Sequence, residues 1–195
     1  MAARLAQNPW VKEAALRRRL PNRLVVRVVE RAPAAVLIGA QAHLVSGDGT
    51  ILEPAQEEAG ATFPVLRAPQ GRGFSVGERV SGQELSGALG VWRQVQIAPV
   101  LAGRRPREVA LAPDGSLEVR MEPGPLRVRL RPEGIEAPFR RLAAVVALRG
   151  GTLDDVDEVD LRFPERVIVR PRHAGGAGRG LARPGGGQHQ GGPGA

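Results

Sequence analysis

The stretch DEVDLRFPERVIVR, residues 157–170, carries the clearest two-residue alternation in the chain. Val159, Leu161 and Phe163 are expected on one side of a strand, with Asp160 and Arg162 on the other, because successive side chains of a strand alternate between its faces. Alternation of this kind is typical of a strand that is buried on one face only. The sequence therefore predicts a half-buried strand near the end of the chain.

The same stretch then bends and resumes. Residues 164–165 predict a short turn, since proline fixes the first central dihedral of a turn and cannot donate to a strand ladder. Val167 and Val169 return to the inward face, and Ile168 lies outward between two arginines. A glycine-rich tail follows, so this segment is predicted to be the last strand, at a sheet edge. A free edge is a template for a partner's strand, although a covered or charge-protected edge would show the same residue pattern.

Composition limits the class of protein. With 195 residues the chain has room for one medium domain or two small ones. Aromatic residues make up only 3%, so the core must consist mainly of Val, Leu, Ile and Ala. The absence of cysteine excludes disulfides, a thiol nucleophile and cysteine-based metal sites. No run approaches the roughly 18 apolar residues that a membrane span requires.

The chain is basic, with a formal charge of +8, and Lys12 is its only lysine. A positive balance favours phosphate groups or acidic lipid surfaces as partners. The arginines, however, alternate with acids along the predicted strands, and no dense basic block is expected. The charge is therefore compatible either with a binding role or with a bias of composition.

Several hairpins are predicted from turn residues. Near the N-terminus, residues 11–20, which could be strand or helix by propensity, and the strand-like residues 24–29 flank a Pro-Asn turn and predict a hairpin, with Leu24, Val26 and Val28 on one face. Residues 47–49, Gly-Asp-Gly, predict a turn within 40–52. From Glu108 onward, apolar alternation returns in three segments that are separated by Asp-Gly and Pro-Gly turns. The pattern predicts a sheet that is mostly antiparallel.

Two segments have helical spacing. The first runs from Ser81, whose hydroxyl suits an N-cap, to Val95, and Trp92 is expected in the core. The second covers residues 135–148 and ends at two glycines. Its buried side is expected to contain Phe139, Leu142, Val145 or Val146, and Leu148. Strands together with two packed helices place the chain in the α+β class.

Ordered residues in three regions carry a resemblance to a known family. They are Pro9, Trp10, Val11, Leu16, Arg18, Pro21, Leu24, Val26, Val28, Glu30, Arg31 and Pro33; then Leu44, Val45, Asp48 and Gly49; and finally Val159, Asp160, Leu161, Arg162 and Phe163. Together these resemble the end of the POTRA domain and the β-domain of the FtsQ/DivIB family of bacterial division proteins. The resemblance spans residues 8 to about 170.

The resemblance implies a domain organisation. Residues 1–35 would be the C-terminal part of a POTRA domain, 36–171 an FtsQ-type β-domain, and 172–195 a disordered tail rich in Gly, Pro and Arg. The resemblance implies the order of parts found in that family, which is a cytoplasmic segment, one membrane span, a POTRA domain and a β-domain. We therefore expect that this chain starts inside the POTRA domain, without the anchor, and that its first hairpin has one poorly covered apolar face.

The resemblance also implies a function. The chain would be a non-catalytic scaffold at the periplasmic face of the bacterial plasma membrane, at the division septum, and would recruit FtsB- and FtsL-type proteins by strand addition. Other division proteins would contact the POTRA region. No cofactor, metal, small-molecule substrate or nucleic acid is expected. The predicted partner-binding residues are Arg162, Phe163, Arg166, Val167, Ile168, Val169 and Arg170.

Other functions have weaker support in the residues. An enzyme is least supported, because the chain has three histidines, His43, His173 and His189, and no nucleophile beside an evident base. His43 is expected to be a hydrogen-bonded strand residue. The acids at 154, 155, 157 and 158 favour a solvated connection over a metal site. The alternative function is a basic nucleic-acid-binding module that uses the arginine-rich strand face and the tail.

Overall fold

The computed structural model describes residues 2–172, except residues 57, 70 and 135. The predicted tail lies outside the described residues from residue 173 onward. The strands are β1 (Val11–Arg19), β2 (Arg23–Glu30), β3 (Pro33–Ile38), β4 (Ala42–Ser46), β5 (Ile51–Pro54), β6 (Val65–Arg67), β7 (Arg105–Leu111), β8 (Leu117–Glu122), β9 (Arg127–Leu130), β10 (Val156–Asp160) and β11 (Ile168–Pro171). The α-helices are α1 (Ala2–Leu5), α2 (Ala59–Thr62), α3 (Gly82–Ile97) and α4 (Glu136–Leu148).

The first two strands form a separate antiparallel hairpin, as predicted. The Leu16–Val26 and Arg18–Leu24 pairs place Leu24, Val26 and Val28 on one face of β2, and Val25 and Val29 lie on the other. Leu24, Val26 and Val28 on the first face are 50%, 44% and 41% exposed. The expectation of a poorly covered apolar face is therefore confirmed.

The other nine strands form one mixed sheet in the order β11-β10-β9-β8-β7-β6-β3-β4-β5. Most neighbours are antiparallel, which confirms the predicted α+β class, and the parallel neighbours are β3 with β6, β6 with β7, and β9 with β10. Parallel neighbours need a crossover connection, which α3 supplies between β6 and β7 and α4 between β9 and β10. Both crossovers move in the same direction along the sheet, so the right-handed rule puts both helices on one face.

Helix α3 confirms the prediction that was made from its spacing. Leu85, Leu89 and Val95 are buried against the sheet. The hydroxyl of Ser81 accepts a hydrogen bond from the backbone N–H of Glu84, as an N-cap does. Trp92 lies at the margin of the core and is only partly buried. The helix therefore packs on the sheet with aliphatic side chains, and its tryptophan packs against the margin of this core.

Helix α4 departs from the prediction at its end. Leu142 and Val146 are buried and Phe139 packs against the core, but Leu148 is 89% exposed. The assignment of Leu148 to the buried side is wrong, because each helical residue turns by about 100° and two steps from Val146 lead to the opposite side. Residue 135, where the helix was predicted to begin, lies outside the described residues.

The strand near the end of the chain is shorter than the alternation predicts. β10 ends at Asp160, and residues 161–167 form an irregular connection to β11. The carboxylate of Asp160 accepts hydrogen bonds from the backbone N–H and the guanidinium of Arg162, which turns the chain away from the ladder. The expected continuation of the strand to Phe163 is therefore wrong.

Arg31 joins the hairpin to the sheet. Its Nη1 donates to the carbonyl oxygens of Pro9 and Val11, at 2.9 and 2.6 Å, and its Nε donates to Asp48 Oδ2 at 3.0 Å. Asp48 lies in the turn between β4 and β5 and also accepts a hydrogen bond from the hydroxyl of Ser46. A single guanidinium thus fixes the start of β1 against the sheet domain.

Candidate partner-binding edge

Strand β11 occupies one edge of the nine-stranded sheet. It pairs antiparallel with β10, and within residues 2–172 no strand is described on its other side. The opposite edge is β5, which also has four residues and also ends in a proline. The predicted last strand therefore lies at a sheet edge, as its position in the sequence indicated.

The register sorts the side chains of β11 onto two faces. Ile168 is opposite Asp160 and Arg170 is opposite Glu158, whereas Val169 is opposite Val159. Val159 belongs to the core, so Val169 faces the helices while Ile168 and Arg170 lie on the outer face. Ile168 is half-buried. The predicted inward and outward faces of this segment are confirmed.

The connection before β11 holds the remaining predicted residues. The guanidinium of Arg166 lies over the ring of Phe163, 4.3 Å from its centroid. The carbonyl oxygen of Phe163 accepts a long hydrogen bond from Arg141 of α4, at 3.4 Å. Val167 packs against the core. Phe163 and Arg166 therefore form an aromatic and cationic pair beside the free edge.

Arg162 is bound internally. Its Nη2 lies 2.7 Å from Asp160 Oδ2, and its Nη1 lies 3.2 Å from Asp114 Oδ2 in the turn between β7 and β8. Burial would raise the pKa of Asp160, which is only 5% exposed, but the hydrogen bonds from Arg162 outweigh burial and lower it. Hydrogen bonds from Ser116, with a smaller contribution from the charge of Arg162, lower the pKa of Asp114. Arg162 thus positions the end of β10.

The outer face of the sheet carries alternating charges over six neighbouring strands. We call this set the charge ladder, and its members in strand order from β6 to β11 are Arg67, Glu108, Arg120, Glu118, Arg129, Glu158 and Arg170. The distances between neighbouring charged atoms range from 2.6 Å for Arg67 and Glu108 to 3.9 Å for Arg120 and Glu118. The ladder ends at the free edge with a cation, Arg170, whose side chain is 63% exposed.

The ladder changes the interpretation of the arginine-rich strand face. The glutamates between its arginines are largely buried, so the arginines of the ladder are engaged with acids instead of forming a row of free cations. The acidic group near β10 is engaged in the same way: Asp154 pairs with Arg104, Asp155 with Arg149 and Asp157 with Arg172. The face offers no support for the nucleic-acid alternative.

His43 differs in part from its prediction. It lies in β4 and is buried, as expected of a strand residue, but its Nδ1 has no hydrogen-bond partner among the residues that the structure describes. The expectation that this side chain is fully hydrogen-bonded is therefore wrong.

Comparison with known proteins identifies the family. Residues 34–162 match a family described as "Cell division protein FtsQ/DivIB, C-terminal", and residues 1–31 match "POTRA domain, FtsQ-type". The chain belongs to the FtsQ/DivIB family. The names of the matched families indicate a cell-division protein, and the predicted combination of POTRA and FtsQ-type parts is confirmed.

Curated relatives carry the same name. "Cell division protein FtsQ" of Novosphingobium aromaticivorans is 32% identical and covers 87% of this chain and 50% of the relative. The protein of that name from Burkholderia pseudomallei is 30% identical, with coverages of 84% and 62%, and that from Salinibacter ruber is 27% identical, with coverages of 88% and 69%. The chain thus spans half to about two thirds of the length of these FtsQ proteins.

The FtsQ/DivIB match ends at residue 162, just before the connection and edge strand that contain most of the predicted partner-binding residues. Among the described residues, no helix combines the length and the hydropathy needed to cross a bilayer.

Sequence reasoning missed the charge ladder. The sequence does contain a signal for the ladder. Charged residues are spaced two apart in Glu118 and Arg120 and in Arg127 and Arg129, and this spacing places the charged side chains of each strand on one face.

Proposed function

We propose that this chain is a non-catalytic scaffold of the division machinery that recruits FtsB- and FtsL-type proteins by accepting a partner strand along β11. The observation that carries the proposal is the edge position of β11, which no other strand of residues 2–172 covers, at the end of a sheet whose other strands have neighbours on both sides or lie at the far edge. Backbone N–H and C=O groups of an edge strand are available for pairing, and side-chain positions on each face then give specificity.

The side chains of β11 define the partner strand. On the outer face, Ile168 offers an apolar contact and Arg170 ends the charge ladder with a cation, so the adjacent partner residue should be acidic. On the inner face, Val169 favours an apolar partner residue. Side chains directly opposite each other in neighbouring strands lie about 4.5–5.5 Å apart, close enough for these pairs to form.

The connection before β11 adds a second contact. Phe163 and Arg166 offer an aromatic ring with a cation above it, which favours a partner carboxylate close to an apolar side chain. Arg162 acts mainly by holding the end of β10, because its guanidinium is already engaged by two carboxylates. We assign the whole set, Arg162 to Arg170, to one partner-binding edge.

We further infer that residues 1–35 act as part of a POTRA domain that contacts other division proteins, and that residues 36–171 act as the β-domain. A site of action at the periplasmic face of the bacterial plasma membrane, at the septum, belongs to the same proposal. Family membership supports both statements.

The test is binding of the whole chain to the extracytoplasmic parts of the host's FtsB and FtsL, measured by calorimetry. Ile168→Pro removes the backbone N–H that Ile168 directs toward β10, opposite Asp160, and so distorts the edge strand; it should weaken binding at least about tenfold. Glu53→Pro makes the same change in β5, the opposite edge of the same sheet, and should leave binding unchanged. Equal binding by the wild-type chain and Ile168→Pro would contradict the proposed edge.

A second pair of variants tests the charge. Arg170→Glu should weaken binding and reduce its dependence on salt, because a partner acid would then face an acid. Arg105→Glu is the matched control, since Arg105 is likewise an exposed strand arginine paired with one glutamate, Glu122. Equal effects of the two variants would assign the loss to total charge instead of to the end of the ladder.

A further inference from the structure

The β1–β2 hairpin gathers five arginines toward its turn: Arg17, Arg18, Arg19, Arg23 and Arg27. No acidic residue lies between residues 14 and 29. Among the residues that the structure describes, none of the five forms an ion pair, in contrast to the arginines of the charge ladder. The expectation that the chain has no dense basic block is wrong for this hairpin, because Arg17, Arg18 and Arg19 are consecutive and strand pairing places Arg23 and Arg27 beside them.

The register makes the hairpin amphipathic. Arg19 is opposite Arg23, Arg17 is opposite Val25, and Arg27 is opposite Ala15, so four arginines share one face. The opposite face carries aliphatic side chains and one arginine, in the order Ala14, Leu16, Arg18, Leu24, Val26 and Val28. One face is therefore strongly cationic and the other mainly apolar.

The cationic face contains an unfavourable contact. Like charges directly opposite each other on neighbouring strands destabilise the pair, and Arg19 and Arg23 occupy such positions with no acid nearby in sequence. Along the charge ladder, glutamates of the chain lie between the arginines and offset their repulsion. Between Arg19 and Arg23, an anion from outside the chain would have the same effect. The arrangement favours an anionic partner.

The turn adds an apolar group at the extreme end. Leu20 is 83% exposed, and Leu24 beside it is half exposed. The other end of the hairpin is fixed to the sheet through Arg31. Because a strand rises about 3.3 Å per residue, the turn lies roughly 25 Å from that junction.

We propose that the tip of this hairpin binds the surface of an anionic lipid bilayer. The arginines contact lipid phosphates through charge-assisted hydrogen bonds, and Leu20 enters the boundary between headgroups and acyl chains. A nucleic acid offers phosphates but no apolar layer for Leu20, so the combination of cations and an exposed leucine favours lipid. This site is separate from the β11 edge and does not depend on the scaffold function proposed above.

The test uses the full chain in flotation assays with vesicles of phosphatidylcholine alone or mixed with phosphatidylglycerol. Wild-type protein should bind the mixed vesicles and not the neutral ones, with affinity that falls as salt rises. The triple variant Arg17→Gln, Arg19→Gln, Arg23→Gln should bind about 100-fold more weakly, because each cation near an anionic membrane contributes substantially. Leu20→Asn should bind roughly fivefold more weakly at unchanged charge.

The matched control removes the same charge elsewhere: Arg93→Gln, Arg107→Gln, Arg140→Gln, three exposed arginines outside the hairpin. It should lose only a few-fold in affinity. Equal losses in both triple variants, or equal binding of wild-type protein to neutral vesicles, would overturn the proposal. So would displacement of the wild-type protein from vesicles by duplex DNA at an equal concentration of phosphate. Leu20→Asn keeps all the arginines, so its result stands even if a triple variant misfolds.

Discussion

Arg31 offers the sharpest test of how the two parts of the chain are joined. Its guanidinium is the common donor to Pro9, Val11 and Asp48, and its side chain is 13% exposed. Arg31→Met keeps much of the length and removes all three hydrogen bonds. Truncating one member of a well-buried charged pair costs about 3–5 kcal/mol. Asp48 is only partly buried and keeps its bond from Ser46, so we expect about 2–3 kcal/mol here.

The loss should appear locally. A two-stranded hairpin is marginally stable in water by itself, so its order depends on the junction. Native-state hydrogen exchange of amides in β1 and β2 should become roughly 30- to 150-fold faster, as 2–3 kcal/mol implies, while amides in β7, β8 and β9 should keep their rates. If amide exchange in β1 and β2 were accelerated no more than in β7, β8 and β9, the role of Arg31 in joining the hairpin to the sheet would be refuted.

Arg79 provides the control. It approaches the same carboxylate, Asp48 Oδ2, at 3.6 Å, but its side chain is 66% exposed. Exposed ion pairs contribute about 0–1 kcal/mol, so Arg79→Met should accelerate exchange by a factor of about five at most. If both variants had equal effects, the charge on Asp48, and not the bridge to β1, would explain the result.

The same joint has a predictable response to acid. Burial would raise the pKa of Asp48, but hydrogen bonds from Ser46, Arg31 and Thr50 outweigh burial and hold it well below its ordinary value. A carboxyl group with a lowered folded-state pKa contributes stability above its unfolded pKa, near 3.9, and loses it as pH falls below that value. Protection factors of the hairpin, corrected for intrinsic exchange, should be constant between about pH 5 and 8 and fall below about pH 4.

Two further pairs of variants test the fold by chemical denaturation. Arg162→Met leaves the buried carboxylate of Asp160 without its cation and should lower the free energy of unfolding by about 2–4 kcal/mol, whereas Arg170→Met should cost less than about 1 kcal/mol; equal costs would contradict the internal role of Arg162. Leu142→Ala should cost about 2–5 kcal/mol, but Leu148→Ala less than about 0.5 kcal/mol, and a large cost at Leu148 would refute the observed orientation of α4.

Local sequence patterns predicted much of the architecture. The Gly-Asp-Gly turn at residues 47–49 and the helix that begins after Ser81 depend on neighbouring residues alone, and both were located correctly. The alternation of Val167, Ile168 and Val169 likewise predicted the faces of β11, since a strand has a strict two-residue period. Features whose cause lies within a few residues could therefore be read from the sequence.

Features that depend on distant residues could not. The end of β10 at Asp160 depends on the bidentate contact with Arg162, which Asp114 in another hairpin helps to hold. The charge ladder depends on the order and register of six strands, which the spacing of charges along each strand does not specify. The candidate edge is intermediate between these cases, because the edge position was predictable but the internal engagement of Arg162 was not.

The charge ladder also has a consequence for how this protein can evolve. Each glutamate of the ladder contacts two arginines, on neighbouring strands or, for Glu118 and Arg120, on the same strand, so reversing one charge places like charges side by side at two contacts. A tolerated reversal would then require compensating changes on both sides, which would extend from strand to strand toward Arg170. Substitutions at these positions should therefore be correlated between homologues, and a homologue with an acid at position 170 should carry the opposite pattern across the sheet and a partner strand with a basic residue at the matching site.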